Sequence, residues 1–233
     1  MIVNPRLDEG FFTLSLSLAM IISLIDKQVN RFSKEDLLSA ICAAAALREE
    51  NLLHKLLLKA KEVGVKTNAL YESLLQNYLF TGYPSAMISL KILKEYFPKL
   101  KKTFNEGWDL NRYRTRGVRN CKKVYGRKYD KLISNVNNFS PELSDWLVLE
   151  GYGKVMGRKG LSFKQRELNN VAVLTVLKFE EQLYSHINGA FRAKNSLSDV
   201  KRIINNLKIF RKNELINFGL KVLNRYKMQR GIR

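Results

Sequence analysis

The stretch ELNNVAVLTVLKFEEQLYSHINGAF, residues 167–191, opens with Glu167 and carries His186 19 positions later. An earlier stretch, EDLLSAICAAAALREENLLHKLLLKA, begins at Glu35 and has His54 at the same separation. A shift of 132 positions aligns both pairs, and these are the two histidines of the chain. Self-similarity at a fixed spacing predicts an internal repeat.

Long apolar segments with few prolines predict an all-α fold. The chain has 233 residues, of which 45% are hydrophobic and only four are proline. Periodic runs between so few prolines favour helices over the turn-rich sheets of a sandwich or barrel. We predict a first helical repeat over residues 1–97, a basic connector over 98–139, and a second helical repeat with a basic C-terminal tail over 140–233.

Polar and small residues mark where helices begin and end. Ser33 and Ser140 are placed to cap helix N-termini, and Gly64 to end a helix in the left-handed conformation. The loop at Gly82 is predicted to separate two helices. Residues 213–216, which match that loop at the 132 spacing, contain no such breaker, so the second helix is predicted to run straight on there.

Two further segments have a simple structural interpretation. Residues 8–29 are apolar on most sides and predict a helix that is covered all round. The glycine-rich segment 151–160 follows no predicted strand and has the wrong spacing for a nucleotide-binding fingerprint. We interpret it as a helix end and turn.

Cysteine content and hydropathy favour a cytoplasmic protein without a membrane span. Cys42 and Cys121 are too few for a disulfide framework and belong to no zinc-type spacing. The longest uncharged apolar run, residues 10–25, is shorter than the ~20 residues that cross a bilayer. Cys42 is predicted to fill the core. Cys121, beside lysines and arginines, is predicted to be an exposed thiol whose pKa these cations could lower.

The repeated glutamates and histidines are residue types suited to acid–base chemistry. Imidazole titrates near neutrality, and a carboxylate can orient it or receive a proton. The two groups of a pair can cooperate only if the chain folds back between them, and a helical hairpin is expected to leave them out of register. Glu50 precedes His54 by one helical turn, whereas the neutral Gln182 precedes His186. A purely structural reading, in which each histidine packs between helices, stays open.

The pattern of these stretches resembles a known family. In the first half the histidine helix is followed by TGYPSA at residues 81–86, and the second half begins with NFSPELSDWLVLEGYGKVMGRKGL at residues 138–161. Over most of its length the chain resembles the carboxymuconolactone decarboxylase / alkylhydroperoxidase D family. The resemblance implies an all-α fold of two repeated helical units. It also implies a homo-oligomer, a trimer or a dimer, because single-repeat relatives build their sites at the subunit contacts of rings.

The resemblance also implies a reaction. It suggests a cofactor-free carboxy-lyase or related proton-transfer enzyme acting on a small anionic lactone or carboxylate. In such an enzyme His54 and His186 would move protons, and Glu35 and Glu167 would orient or assist them. The peroxidase branch of the family carries a Cys-x-x-Cys pair just before the histidine, and neither half has one. We therefore predict no thiol peroxidase activity and no cofactor or metal.

The concentration of basic residues suggests an alternative function. Residues 112–131 hold nine Lys and Arg against one acid, and residues 201–233 hold ten against one, within a net charge of +20. Such concentrated charge attracts phosphate backbones and other polyanions. The alternative is therefore a catalytically silent module that binds nucleic acid or another polyanion.

Overall fold

Helices form every regular element of the computed structural model, which describes residues 23–100 and 107–232. The all-α prediction is confirmed for those residues. Residues 23–29 are helical, and the remainder of the predicted helix over 8–29 lies outside the described residues. Four helices follow in the first half: α1 Lys34–Leu47, α2 Glu50–Glu62, α3 Thr67–Gln76 and α4 Tyr78–Tyr96.

The rest of the chain continues in helices. The middle holds α5 Leu110–Tyr125 and α6 Tyr129–Phe139. A short helix α7, Pro141–Trp146, then runs directly into a π-helix, Leu147–Val155. Four helices complete the fold: α8 Phe163–Val176, α9 Glu180–Arg192, α10 Leu197–Asn206 and α11 Asn213–Arg230.

The core forms where α1 and α8 pack against each other at the centre of the molecule. Both helices are buried along most of their length, unlike surface helices that bury one stripe. The small side chains of Ala43, Ala44 and Ala45 are fully enclosed and leave room for neighbouring helices to approach. The remaining helices cover this central pair, so its polar side chains must find their partners inside the protein.

The segment predicted to be a connector contributes a wall of the molecule. α5 buries Tyr113 and packs along the π-helix at very short range. A Cβ atom at Gly117 would collide with the backbone carbonyl of Val148, and one at Gly153 with that of Tyr113. Only glycine allows the two backbones to come this close. The interpretation of segment 151–160 as a helix end is therefore wrong for its first half, because Gly153 lies inside a helix at a crossing point.

The helical hairpins α1–α2 and α8–α9 correspond at a spacing of 130 residues rather than 132. Glu50 and Glu180 begin α2 and α9. Just before them, Arg48 and Lys178 adopt the same left-handed conformation, with φ of 56° and 57°. The spacing taken from the two histidines therefore does not match the helix boundaries.

One ion pair recurs at the same 130-residue spacing with its charges exchanged. Glu72 of α3 binds Arg166 of α8 at 2.8 Å, and Arg202 of α10 binds Asp36 of α1 at 3.0 Å. These correspondences support two repeats, while the division into three parts stays a prediction. The corrected spacing pairs Glu167 with Leu37 and His186 with Leu56. Glu35 and His54 consequently do not occupy the positions equivalent to Glu167 and His186.

Several predicted helix ends are confirmed. The Ser33 hydroxyl accepts a hydrogen bond from the Asp36 amide at 3.1 Å, and the Ser140 hydroxyl accepts one from the Leu143 amide at 3.1 Å. Gly64 follows α2 with a φ of 68°, the left-handed conformation that glycine adopts without steric cost. Local capping chemistry therefore sets these ends.

The break between the last two helices differs from the prediction. Gly82 interrupts α4 with a φ of 74°, as its residue type suggests. In the second half the chain was predicted to run on, but Arg211 takes a left-handed φ of 57° before α11 begins. A 3-10 turn, Leu207–Phe210, buries Ile209 and Phe210 at this point. Packing of these side chains stabilises a break that contains no glycine or proline.

Candidate active site

Glu167 and His186 meet in the interior of the second half. Glu167 lies near the start of α8, and the turn at residues 177–179 folds α9 back so that His186 faces it. The carboxylate Oε2 is 2.8 Å from the imidazole Nδ1. Glu167 is fully buried and His186 is 7% exposed. The expectation that a hairpin would leave the pair out of register is wrong here, because the two residues lie at similar distances from the turn.

Asn170 contacts the same imidazole nitrogen from one turn further along α8. Its Nδ2 lies 3.1 Å from His186 Nδ1, while Gln76 Nε2 donates a hydrogen bond to its Oδ1. Gln76 is itself oriented by Arg166, whose Nη1 donates to Gln76 Oε1 at 3.1 Å. This network assigns the amide NH₂ of Asn170 to the imidazole side. Nδ1 thus has an acceptor in Glu167 and a donor in Asn170, so either tautomer of the ring finds a partner there.

A buried ion cluster holds the outer end of this network. Glu72 and Arg166 are fully buried and bind each other at 2.8 Å, and Arg158 binds the same carboxylate at 2.9 Å. Burial lowers the pKa of Arg166 from its ordinary value, and the hydrogen bond to Glu72 opposes that change. A buried charge is tolerated when it is paired and hydrogen-bonded. The cluster therefore fixes Gln76, and through it Asn170, without exposing a charge to the imidazole.

A cavity of about 540 Å³ lies beside His186. Since Nδ1 is engaged by Glu167 and Asn170, the Nε2 edge of the ring is the part left to this cavity. Phe80 meets the ring edge-on at 6.0 Å between centroids, and Tyr152 lies nearly parallel to it at 6.5 Å. Most of the lining residues are aromatic or aliphatic. The complete lining among the described residues is Tyr78, Leu79, Phe80, Tyr125, Leu143, Trp146, Leu147, Glu150, Gly151, Tyr152, Met156, Asn170, Leu174, Phe179, Gln182 and His186.

Three tyrosine hydroxyls of the cavity are neutral hydrogen-bond donors. Burial raises the pKa of Tyr78, and its hydrogen bond to the carboxylate of Glu150 raises it further. Burial raises the pKa of Tyr125 to about 12 and that of Tyr152 well above its ordinary value. The Tyr152 hydroxyl donates to the Tyr125 oxygen at 3.4 Å. These phenols therefore keep their protons at neutral pH.

The first predicted pair is not assembled. Glu35 is exposed at the start of α1, beside a second cavity of about 910 Å³, and its backbone carbonyl accepts a hydrogen bond from Gln165 at 3.1 Å. His54 is half-buried on α2, where its Nδ1 lies 3.0 Å from the Tyr96 hydroxyl. Tyr96, rather than Glu50, is its partner. His54 thus fits the structural reading, in which the ring is hydrogen-bonded between helices.

Both cysteines are buried thiols. Cys42 fills the core as predicted, and its Sγ donates to the Ser73 carbonyl at 3.4 Å. Cys121 was expected to be exposed, and this is wrong: it lies on the inner face of α5, and burial raises its pKa to about 12. The neighbouring basic residues point outward from the helix, so they do not stabilise a thiolate.

The basic residues of α5 bind their own protein in part. Arg114 Nη1 lies 2.6 Å from an Asp145 carboxylate oxygen. Arg116 Nε donates to the backbone carbonyl of Gly153 at 2.7 Å. Arg114 and Arg116, two of the basic residues that suggested a polyanion-binding surface, therefore bind α5 to the neighbouring helices.

Several residues of the site escaped the sequence analysis. Asn170 lies on α8, Gln76 on α3, and Glu150 and Tyr152 on the π-helix, and no short motif connects these three elements. One signal was available: Asn169 and Asn170 directly precede the mostly apolar segment 171–177, and adjacent asparagines are costly to bury without partners. A buried amide pair in an apolar helix indicates a polar site.

Comparison with known proteins finds a relative. Over 97 residues, which make up 41% of this chain and 72% of the relative, the identity is 28% to 4-carboxymuconolactone decarboxylase of Acinetobacter baylyi. The chain is distantly similar to a carboxymuconolactone decarboxylase. No protein-family model matches the chain. The similarity supports the family resemblance, and the decarboxylase activity is that of the relative.

Within residues 23–100 and 107–232, no cluster of three or more His, Cys, Asp or Glu side chains is placed to hold a metal ion. In the same ranges no helix combines the length and the apolar character needed to cross a membrane.

Proposed function

We propose that the protein is a cofactor-free acid–base enzyme in which His186 and Glu167 move a proton on a small organic substrate bound in the adjoining cavity. The contact of 2.8 Å between the buried carboxylate and the imidazole carries this proposal. A histidine held at one nitrogen by a carboxylate leaves its other nitrogen to accept or donate a proton. His186 lines the adjoining cavity.

The surroundings of His186 suit this role. With Nδ1 donating to Glu167, the Nε2 lone pair can take a proton from substrate, and the imidazolium that results is stabilised by the carboxylate. Phe80 and Tyr152 hold the plane of the ring. Glu167 Oε1 has no hydrogen-bond partner among the described residues, so the carboxylate has spare acceptor capacity when charge develops beside it.

The similarity to a decarboxylase suggests decarboxylation as the specific reaction. The resemblance suggests a carboxy-lyase, in which loss of CO₂ from a small lactone carboxylate leaves a carbanion or enolate that His186 protonates. Two measurements distinguish decarboxylation from acid–base catalysis in general. CO₂ release from 4-carboxymuconolactone tests decarboxylation, and deuterium uptake in D₂O by the uncharged ketone 2-tetralone tests proton transfer. Either activity, if it depends on His186, supports an acid–base enzyme.

The test compares the two histidines. We expect His186→Ala to lower the rate of whichever activity is found by about 10²- to 10⁴-fold, the usual contribution of a general acid or base. The matched variant His54→Ala is expected to stay within about twofold of wild type, because His54 lies away from the cavity. Glu167→Gln should lower the rate while leaving the ring in place. Full activity of His186→Ala would reject the proposal.

Other expectations stay predictions. A homo-oligomer, trimer or dimer, is expected from the family resemblance, and light scattering that gives a mass near 27 kDa would contradict it. A cytoplasmic location and the absence of thiol peroxidase activity also stay predictions. The alternative of a silent polyanion-binding module is not favoured, since arginines of α5 form intramolecular contacts.

A further inference from the structure

The charge of the cavity is opposite to that of the protein. The chain has 41 Lys and Arg residues, but among the residues that the structure describes no lysine or arginine lines the cavity beside His186. Glu150 is the one acidic side chain in that described lining. The second cavity, between the starts of α1 and α8, instead has Arg31, Lys34, Lys66, Lys164 and Arg202 in its lining. Cations are therefore available in the fold but are placed elsewhere.

A carboxylate would be poorly held beside His186. Removing a carboxylate from water into an apolar cavity is costly unless a cation or several donors receive it. The Lys154 ammonium lies 3.5 Å from the Glu150 carboxylate, and it also lies over the Trp108 ring, 4.6 Å from the ring centroid. That lysine offsets the charge of Glu150 and does not reach the lining.

The polar groups that do face the cavity suit a neutral ligand. Asn170 and Gln182 supply uncharged donors and acceptors, His186 supplies a ring nitrogen, and the tyrosine hydroxyls keep their protons. A few such groups in a mostly apolar lining fix the orientation of a ligand whose body is hydrophobic. Aromatic walls favour a flat ring, because stacked and edge-on ring contacts stabilise each other beyond simple burial.

The opening of the cavity has the same character. Leu143, Trp146 and Phe179 line it and are each about half exposed to solvent. Large apolar side chains that cluster at the surface mark places where apolar molecules bind. They offer nothing to an anion approaching from water.

We propose that this cavity binds uncharged, flat ring compounds that carry one carbonyl or hydroxyl group, and that it discriminates against carboxylates of the same shape. The proposal names the substrate class for the acid–base chemistry of His186: an uncharged compound in place of the anionic lactone or carboxylate that the family resemblance suggests. It therefore expects deuterium uptake by 2-tetralone rather than CO₂ release from 4-carboxymuconolactone, and it rests on the proposed function only for what happens after binding. The polar group of the ligand lies toward His186 and Asn170, and its ring lies against Phe80 and Tyr152.

Isothermal titration calorimetry with two probes that share the same naphthalene ring and differ in charge tests the proposal. At pH 7, 2-naphthol is neutral and 2-naphthoate is an anion. We expect wild-type protein to bind 2-naphthol at least about tenfold more tightly than 2-naphthoate, a difference of about 1.4 kcal/mol. Glu150→Gln should narrow that ratio by improving the binding of 2-naphthoate. Equal or tighter binding of 2-naphthoate by wild type, or binding of neither probe, overturns the proposal.

A blocking variant locates the binding. A Cβ atom added at Gly151, which lines the cavity, meets no atom within 4 Å, so Gly151→Leu can fill space without displacing the fold. We expect it to weaken 2-naphthol binding at least about tenfold. Met87→Leu, a change at an exposed residue outside this lining, is the matched control and should bind as wild type. Unchanged binding by Gly151→Leu would overturn the assignment to this cavity. Intact binding without deuterium uptake by 2-tetralone or CO₂ release would reject the acid–base function alone.

Discussion

The helical hairpins α1–α2 and α8–α9 show two uses of one arrangement. At the 130-residue spacing, the positions of Glu167, Asn170 and His186 are occupied in the first half by Leu37, Ala40 and Leu56. All three first-half side chains are buried among other apolar groups. A polar site in one hairpin therefore corresponds to plain hydrocarbon packing in the other. The helices do not need the site in order to form, and this supports the proposed acid–base role of Glu167 and His186.

The largest expected effect comes from making the second hairpin resemble the first. In the double variant Glu167→Leu with His186→Leu, we expect activity to fall by about 10²- to 10⁴-fold. The free energy of unfolding should stay equal or rise by up to about 4 kcal/mol, because a buried polar pair is replaced by apolar side chains. Turnover assays and urea unfolding measure the two effects. A loss of stability above about 3 kcal/mol would show that the pair is structural.

The two corresponding ion pairs differ in burial. Both side chains of Glu72–Arg166, the pair next to the candidate site, are fully buried, whereas Arg202 of the pair Arg202–Asp36 is 42% exposed. Glu72→Gln should therefore cost about 3–5 kcal/mol of unfolding free energy, because the buried Arg166 is left unpaired. Asp36→Asn should cost about 1 kcal/mol through the loss of a partly exposed pair. Equal costs in urea unfolding would contradict the difference in burial.

A glycine beside the carboxylate offers a test of positioning. A Cβ atom at Gly189 would lie 2.5 Å from Glu167 Oε2, so Gly189→Ala must move the carboxylate. We expect about a 10²-fold loss of kcat, the size of effect that a displacement of about 1 Å produces.

Gly219→Ala is the matched control for this change. Its Cβ would crowd Ile204 and Thr175 at 2.8 Å, away from the site. It should lower stability by about 1–3 kcal/mol while the rate stays near wild type. Equal losses of activity in the two variants would mean that the effect of Gly189→Ala is general overpacking.

The fold class could be predicted from the sequence because the residues that start and end a helix act on their immediate neighbours in the chain. Ser33, Ser140 and Gly64 each act within a few residues of their position, and their capping roles follow from residue type. The left-handed Arg211 was missed because the packing of Ile209 and Phe210 decides it. The predicted equivalence of the two Glu/His pairs is wrong, since a coincidence of two histidines at 132 residues outweighed weaker signals spread over whole helices.

The candidate site was predictable only in part, because several of its residues are brought together by the packing of distant elements. Glu167 and His186 lie on consecutive helices, so one turn brings them together and the spacing indicates their relation. Gln76, Tyr152 and Glu150 reach the same place from distant parts of the chain. Their convergence depends on how α3 and the π-helix pack, which residue types alone do not specify.

The smallest expected effect concerns the two cysteines, Cys42 in α1 and Cys121 in α5. Burial raises the pKa of Cys121 to about 12 and raises that of Cys42 as well. Neither thiol should react with DTNB at pH 8 until the protein is unfolded in guanidinium chloride.

The same shift predicts a dependence of stability on pH. A thiol whose pKa is higher in the folded state stays protonated there while the unfolded chain ionises, so stability should decline as pH rises from about 9 to 12. Urea midpoints for wild type and Cys121→Ala across this range measure the contribution of Cys121. Rapid labelling of the folded protein at pH 8 would contradict the buried position.

The π-helix has a consequence for how this cavity can change over evolution. Its turns contain about one residue more than those of an α-helix, and such turns are frequent at functional sites. Removing one residue between Leu147 and Tyr152 would allow an ordinary α-helix and rotate the preceding segment by about 100° relative to the rest. Trp146 and Leu143 would then leave the opening, while Tyr152 would stay beside His186. A change of one codon in length could thus give the same acid–base pair a different entrance.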